Sequence, residues 1–102
     1  MLPTITEPST RVDASFPALH APSVLAGRAA RAAAEHGVLR VKGFAQIEGK
    51  PMRLLVQGVG TRVETRYGRP WEPGKPPRGE LVVIGLKGMD RHSVSLILRG
   101  EI

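Results

Sequence analysis

At 102 residues the chain is long enough for one hydrophobic core and too short for two. It contains no cysteine, which excludes disulfides and thiolate metal sites and suits the cytoplasm, and it has no run of about 18 apolar residues to cross a membrane. Fifteen Lys and Arg against nine Asp and Glu leave a formal charge of +6, a balance that attracts nucleic acid, anionic lipid or an acidic protein, while an aromatic content of 4% argues against an extensive base-stacking surface.

Residues 1–9 include Pro3 and Pro8 but no basic residue and no apolar core. They read as an unpaired leader, not a secretory signal, ahead of a single domain over 10–102. Residues 10–16 alternate, with Val12, Ala14 and Phe16 on one side and Arg11, Asp13 and Ser15 on the other, the pattern of a half-buried strand. A connector bracketed by Pro17 and Pro22 follows. The spacing then predicts a helix over 23–36, in which Leu25, Ala29, Ala32 and His36 form a narrow face of mostly small residues and Gly37 supplies the left-handed cap. Arg31 and Glu35 stand at i,i+4 on another side.

Residues 38–48 alternate again. Leu39, Val41, Ala45 and Ile47 are expected inward, and Arg40, Lys42, Phe44 and Gln46 outward. Glu48-Gly49-Lys50-Pro51 reads as a hairpin turn. A strand over 52–59 has Met52, Leu54 and Val56 inward and Arg53, Leu55 and Gln57 outward; Gly58-Val59-Gly60 makes the next bend. Residues 61–67 form another antiparallel piece with Val63, Thr65 and Tyr67 on its apolar side. The segment 68–79 holds four prolines and reads as a long loop. Leu81 to Ile84 shows no alternation, as expected for a strand covered on both faces. Asp90 can cap a last helix that buries Val94, Ile97 and Leu98 and ends at Gly100.

This order predicts an α+β fold: a two-layer sandwich in which a mostly antiparallel, four- to five-stranded sheet carries two helices on one face. The opposite face is expected to be polar. Arg40, Lys42, Arg53, Gln57, Arg62 and Arg66 would project from it with Phe44 and Leu55 among them, and Glu64 interrupts the positive charge. Apolar groups ringed by charge mark a docking surface for a partner or a phosphate-rich ligand. Arg69-Pro70-Trp71 adds the single tryptophan, expected to anchor its loop onto the core and leave Arg69 to face a partner.

Other chemistries find little support. His20, His36 and His92 form no close ligand pair, so no metal is expected to bind this chain. No G-x-x-x-x-G-K-[ST] occurs, and no nucleophile has a base at useful spacing, so neither a cofactor nor an enzymatic activity is expected. Lys42-Gly43-Phe44-Ala45 resembles part of the RNA-recognition-motif consensus. However, Gln46 and Gly49 stand where further aromatics belong, and 68–79 is too proline-rich for that fold's second helix. A small nucleic-acid-binding domain using the positive sheet face is the alternative reading, and nucleic acid is not the first expectation.

The chain is similar to the C-terminal domain of the CobW family of GTP-dependent cobalt and zinc metallochaperones. The resemblance runs from about Gly37 to Leu98. It rests on Gly37-Val38-Leu39-Arg40-Val41-Lys42-Gly43-Phe44, Gly49-Lys50-Pro51-Met52-Arg53-Leu54, Gln57-Gly58-Val59-Gly60, Arg69-Pro70-Trp71, and Leu81-Val82-Val83-Ile84-Gly85 ahead of Met89-Asp90. The wording around 49–60 most resembles the cobalamin-biosynthesis branch. The resemblance implies an accessory or interaction domain that follows a P-loop GTPase domain with a cysteine-containing metal motif. Its implied role is to couple the nucleotide state to a client in cobalt delivery. Neither GTP hydrolysis nor the thiolate site transfers to any residue here. The implied partners are a CobW-type GTPase domain, met as part of the same protein or in trans, a metalloenzyme client such as a cobalt chelatase, or a second copy of the chain. The residues expected to meet a partner are Arg40, Lys42, Phe44, Arg53, Gln57, Arg62, Arg66, Arg69 and Trp71.

Overall fold

The computed structural model describes residues 9–74 and 77–102. The order of elements is β1 (Ser9–Phe16), α1 (Pro22–His36), β2 (Val38–Ala45), β3 (Met52–Val59), β4 (Arg62–Pro70), β5 (Gly79–Leu86) and α2 (Arg91–Arg99). The strands form one five-stranded sheet in the order β1-β5-β2-β3-β4, with every neighbouring pair antiparallel. β1 and β2 therefore run parallel, joined by α1 as a crossover, with β5 inserted between them. The α+β sandwich expected from the sequence is the observed one.

Both helices form where the sequence places them. Pro22 opens α1, where its missing N–H costs no helical bond, and Gly37 closes it at φ 70° with its N–H donating to the Ala33 carbonyl. Leu25, Ala29 and Ala32 are buried, and these small side chains let the helix lie close on the sheet. Asp90 caps α2: its carboxylate accepts from the Ser93 backbone N–H at 3.0 Å and from the Ser93 hydroxyl at 2.8 Å. Hydrogen bonding from that backbone N–H, then from the hydroxyl, holds the Asp90 carboxyl below its ordinary value of 3.8. Val94, Ile97 and Leu98 are buried, as expected, and Gly100 ends the helix. Arg31 pairs with Glu35 at 2.8 Å.

The core lies between the helices and one sheet face. Phe16, Leu25, Leu54, Leu81, Ile97 and Leu98 are its largest fully buried members. Gly43 allows β2 and β5 to approach, since a Cβ there would collide with the Glu80 carbonyl oxygen. Leu19 bridges to Ile47, tying the connector before α1 to the turn after β2.

Several local expectations are corrected. Leu39 does not point inward. The register of β2 against β5 shifts between Val38 and Arg40, and this irregularity buries Val38 and leaves Leu39 43% exposed. β2 ends at Ala45, so the inward Ile47 belongs to a bridge beyond it. Gly58 and Val59 remain in β3, and the bend is Gly60-Thr61. β4 runs on to Pro70, three residues into the expected loop. β5 alternates between buried and half-buried or exposed positions because helices cover only one of its faces.

Candidate functional site

The uncovered sheet face is built by register. Arg11 pairs with Ile84, Ile84 with Arg40, Arg40 with Val59 and Val59 with Arg62, giving one row across all five strands. The next row is Asp13, Val82, Lys42, Gln57 and Glu64. The third is Ser15, Glu80, Phe44, Leu55 and Arg66. Arg40, Lys42, Phe44, Gln57, Arg62 and Arg66 thus share one face, and Arg53 joins them by packing over Phe44. Its guanidinium carbon lies 5.1 Å from the ring centroid.

The face is not simply polar. Phe44, Leu55, Val82 and Ile84 are half-buried on it, and Val59 is 65% exposed. Arg11, Arg40 and Lys42 rim a shallow depression of about 370 Å³ floored by Val41, Val82 and Ile84. A larger one of about 590 Å³ lies between Lys42, Leu55, Gln57, Glu64 and Arg66. Among the described residues, Arg40, Lys42, Arg62 and Arg66 make no ion pair, whereas Arg11 reaches Asp13 at 3.0 Å.

Trp71 departs from expectation. It does not anchor onto the helix-covered core. It sits on the open side, edge-on to Phe44 with centroids 5.6 Å apart and an interplanar angle of 72°. A register shift between Met52 and Leu54 separates Leu54 opposite Tyr67 from Met52 opposite Pro70, and the Trp71 N–H then donates to the Pro51 carbonyl at 3.4 Å. Trp71 Nε1 and Arg53 Nε are both buried with no hydrogen-bond acceptor among the described residues. Arg69 is exposed near the end of β4.

Sequence reasoning missed Arg11, Val82 and Ile84, as well as the acidic Asp13 and Glu80. The alternation of β1 already turned Arg11 and Asp13 outward. What it lacked was the strand order that sets β1 and β5 beside β2. Chemically the face combines cations, four of them without an ion pair among the described residues, with half-buried apolar groups and the carboxylates Asp13, Glu64 and Glu80. Among the described residues, no group of three or more His, Cys, Asp or Glu could hold a metal. His20 hydrogen-bonds Glu48 at 2.8 Å, far in sequence from His36 and His92. Among the described residues no helix is long and apolar enough to cross a membrane.

Comparison with known proteins gives a consistent result. The family model described as cobalamin synthesis protein cobW C-terminal domain matches residues 11–100. A protein named zinc chaperone CobW from a Sinorhizobium species is 56% identical over 61 residues, covering 60% of this chain and 17% of the relative. The Pseudomonas aeruginosa protein of the same name is 48% identical over 64 residues, covering 63% of this chain and 17% of its own length. The chain thus spans about a sixth of these relatives. Among solved structures, a Zn(II)-bound triple mutant of the YjiA GTPase superposes with a TM-score of 0.71 at 26% identity, over 90% of this chain and 30% of that one.

Proposed function

The chain belongs to the CobW C-terminal domain family, and from that premise we propose that it is the docking module of a metal-chaperone GTPase system, working in the cytoplasm. It binds a GTPase domain or the metalloenzyme that receives the metal, through the face that carries Arg40, Lys42, Phe44, Arg53, Gln57, Arg62 and Arg66, flanked by Arg69 and Trp71. One observation carries this reading: a five-stranded sheet keeps Phe44, Leu55, Val82 and Ile84 half-buried among cations on a face that no helix covers among the described residues. Apolar floors rimmed by charge are characteristic of interaction sites.

The relatives are named zinc chaperones; cobalt as the cargo and a cobalt chelatase as the client are part of this proposal, suggested by the word cobalamin in the family's description. The docking reading is the same for either metal, since among the described residues no group of three or more His, Cys, Asp or Glu could hold one. The arrangement disfavours nucleic acid as the partner. Phe44, the aromatic on the central rows, already carries the Arg53 guanidinium and the Trp71 edge, and is not a free platform for a base.

The test is to add the part of YjiA outside the matched segment to this chain labelled with 15N. Shifts at Arg40, Lys42, Phe44 and Gln57 amides are expected. Shifts confined to α1 and α2 would sink the proposal.

A further inference from the structure

We propose that the open face receives an acidic amphipathic helix, laid across the strands along the row of Arg11, Ile84, Arg40, Val59 and Arg62. This deepens the docking reading and rests on it for the choice of face. The row alternates cation, apolar, cation, apolar, cation across all five strands. Neighbouring strands lie about 4.8 Å apart, so successive arginines start roughly 10 Å from one another. A helix rises 1.5 Å per residue, so side chains at i, i+7 and i+14 are separated by about 10.5 Å and face the same way. Carboxylates at those positions meet Arg11, Arg40 and Arg62. Apolar residues halfway between them, at i+3 or i+4 and at i+10 or i+11, rest on Ile84 and Val59.

An extended segment fits less well. Its residues i and i+3 span about 10 Å but point to opposite faces, while i+2 and i+4 fall short or overshoot. Charge also selects the partner. Arg40 and Arg62 make no ion pair among the described residues, and Arg11 has only the exposed Asp13. The acidic residues of the face, Asp13, Glu64 and Glu80, all lie in the other two rows, so the first row alone is uniformly positive. Ile84 is half-buried and Val59 is 65% exposed, so a helix seated here removes apolar surface from water as its carboxylates reach the guanidinium groups.

The experiment uses two monomeric helical peptides of identical composition. One has Glu at i, i+7 and i+14 with Leu between; the other has its Glu residues at i, i+5 and i+10. The in-register peptide is expected to bind about tenfold more tightly, with affinity falling as salt rises, because only it satisfies the three cations together. Amides of Arg11, Arg40, Val59, Arg62 and Ile84 should shift, and Arg40→Glu should remove the preference while the fold remains intact.

Equal binding by both peptides overturns the inference, as does tighter binding of an oligothymidylate strand than of either peptide. If the GTPase portion moves these amides and the in-register peptide does not, docking stands and the helix is wrong. If the peptide binds in register and the GTPase portion does not, the helix stands and the named partner is wrong.

Discussion

Replacing Phe44 by alanine tests whether the open face is an organised cluster or a loose collection of side chains. A fully buried Phe→Ala change costs about 3–5 kcal/mol, and Phe44 is half-buried, so its transfer and cavity cost is about half of that. That figure includes the edge-on contact with Trp71 at 5.6 Å and the Arg53 guanidinium at 5.1 Å, interactions worth about 0.5–1.5 kcal/mol each. A loss of about 2 kcal/mol follows, which for a domain of this size lowers Tm by about 8–16 °C. The chain has one tryptophan, so its fluorescence reports this site alone. In Phe44→Ala the Trp71 emission should shift to the red as the indole gains water. A double-mutant cycle with Trp71→Ala should return a coupling of about 1 kcal/mol. Additivity of the two substitutions to within about 0.3 kcal/mol, together with an unshifted emission maximum, would show that the rings are not in contact in solution.

Two further outcomes follow from the same geometry. Gly43→Ala forces a methyl group against the Glu80 carbonyl oxygen, a backbone atom that cannot swing aside, so it should cost about 3 kcal/mol or more in denaturant unfolding and expose the β2–β5 amides to hydrogen exchange. For Asp90 the sign follows from a folded-state carboxyl held below its ordinary 3.8: its contribution to stability is present above that value and is lost as pH falls through the folded-state value. The Tm difference between wild type and Asp90→Ala should therefore be present at about pH 5 and shrink below about 4, as thermal scans across that range will read.

Much of the fold was legible because period and caps agree. In β1, Val12, Ala14 and Phe16 are buried while Arg11 and Asp13 are exposed, and α1 begins and ends within a residue of its signals. The misses have physical causes that a single strand does not advertise. An irregularity at Val38 to Arg40 reverses the sense of Leu39, and it depends on the pairing with β5, where Val38 meets Gly85 and Arg40 meets Ile84. The apolar run Leu81 to Ile84 suggests cover on both sides, yet Val82 and Ile84 lie on the open face. They line a depression there together with Arg11, Arg40 and Lys42. Trp71 has the composition of a core anchor, and the register shift before it delivers the ring to the opposite side, against Phe44. For the candidate site, alternation found the side-chain direction on β2, β3 and β4. The rows themselves depend on β5 entering between β1 and β2, a long-range pairing with no local signal.

That insertion also decides how stability and docking divide over the sheet. The small residues Ala29 and Ala32 let α1 settle close to the strands, and α2 packs beside it, so the core is complete on one side. The other side must then shield its backbone and the flanks of Val82 and Ile84 with whatever its own side chains provide. Arginine can do this with its methylene stem while its charge remains in water, and Arg40 and Arg62 make no ion pair among the described residues. Truncating such an exposed side chain perturbs stability by about 0.5 kcal/mol at most, whereas the same guanidinium, once desolvated against a carboxylate, becomes one of the strong contacts of a complex. On the proposed docking, the arginines of the first row would contribute little to folding and most to recognition, while Phe44 would contribute to both. For this reason a charge reversal at Arg40 reads docking without the loss of fold that Phe44→Ala brings.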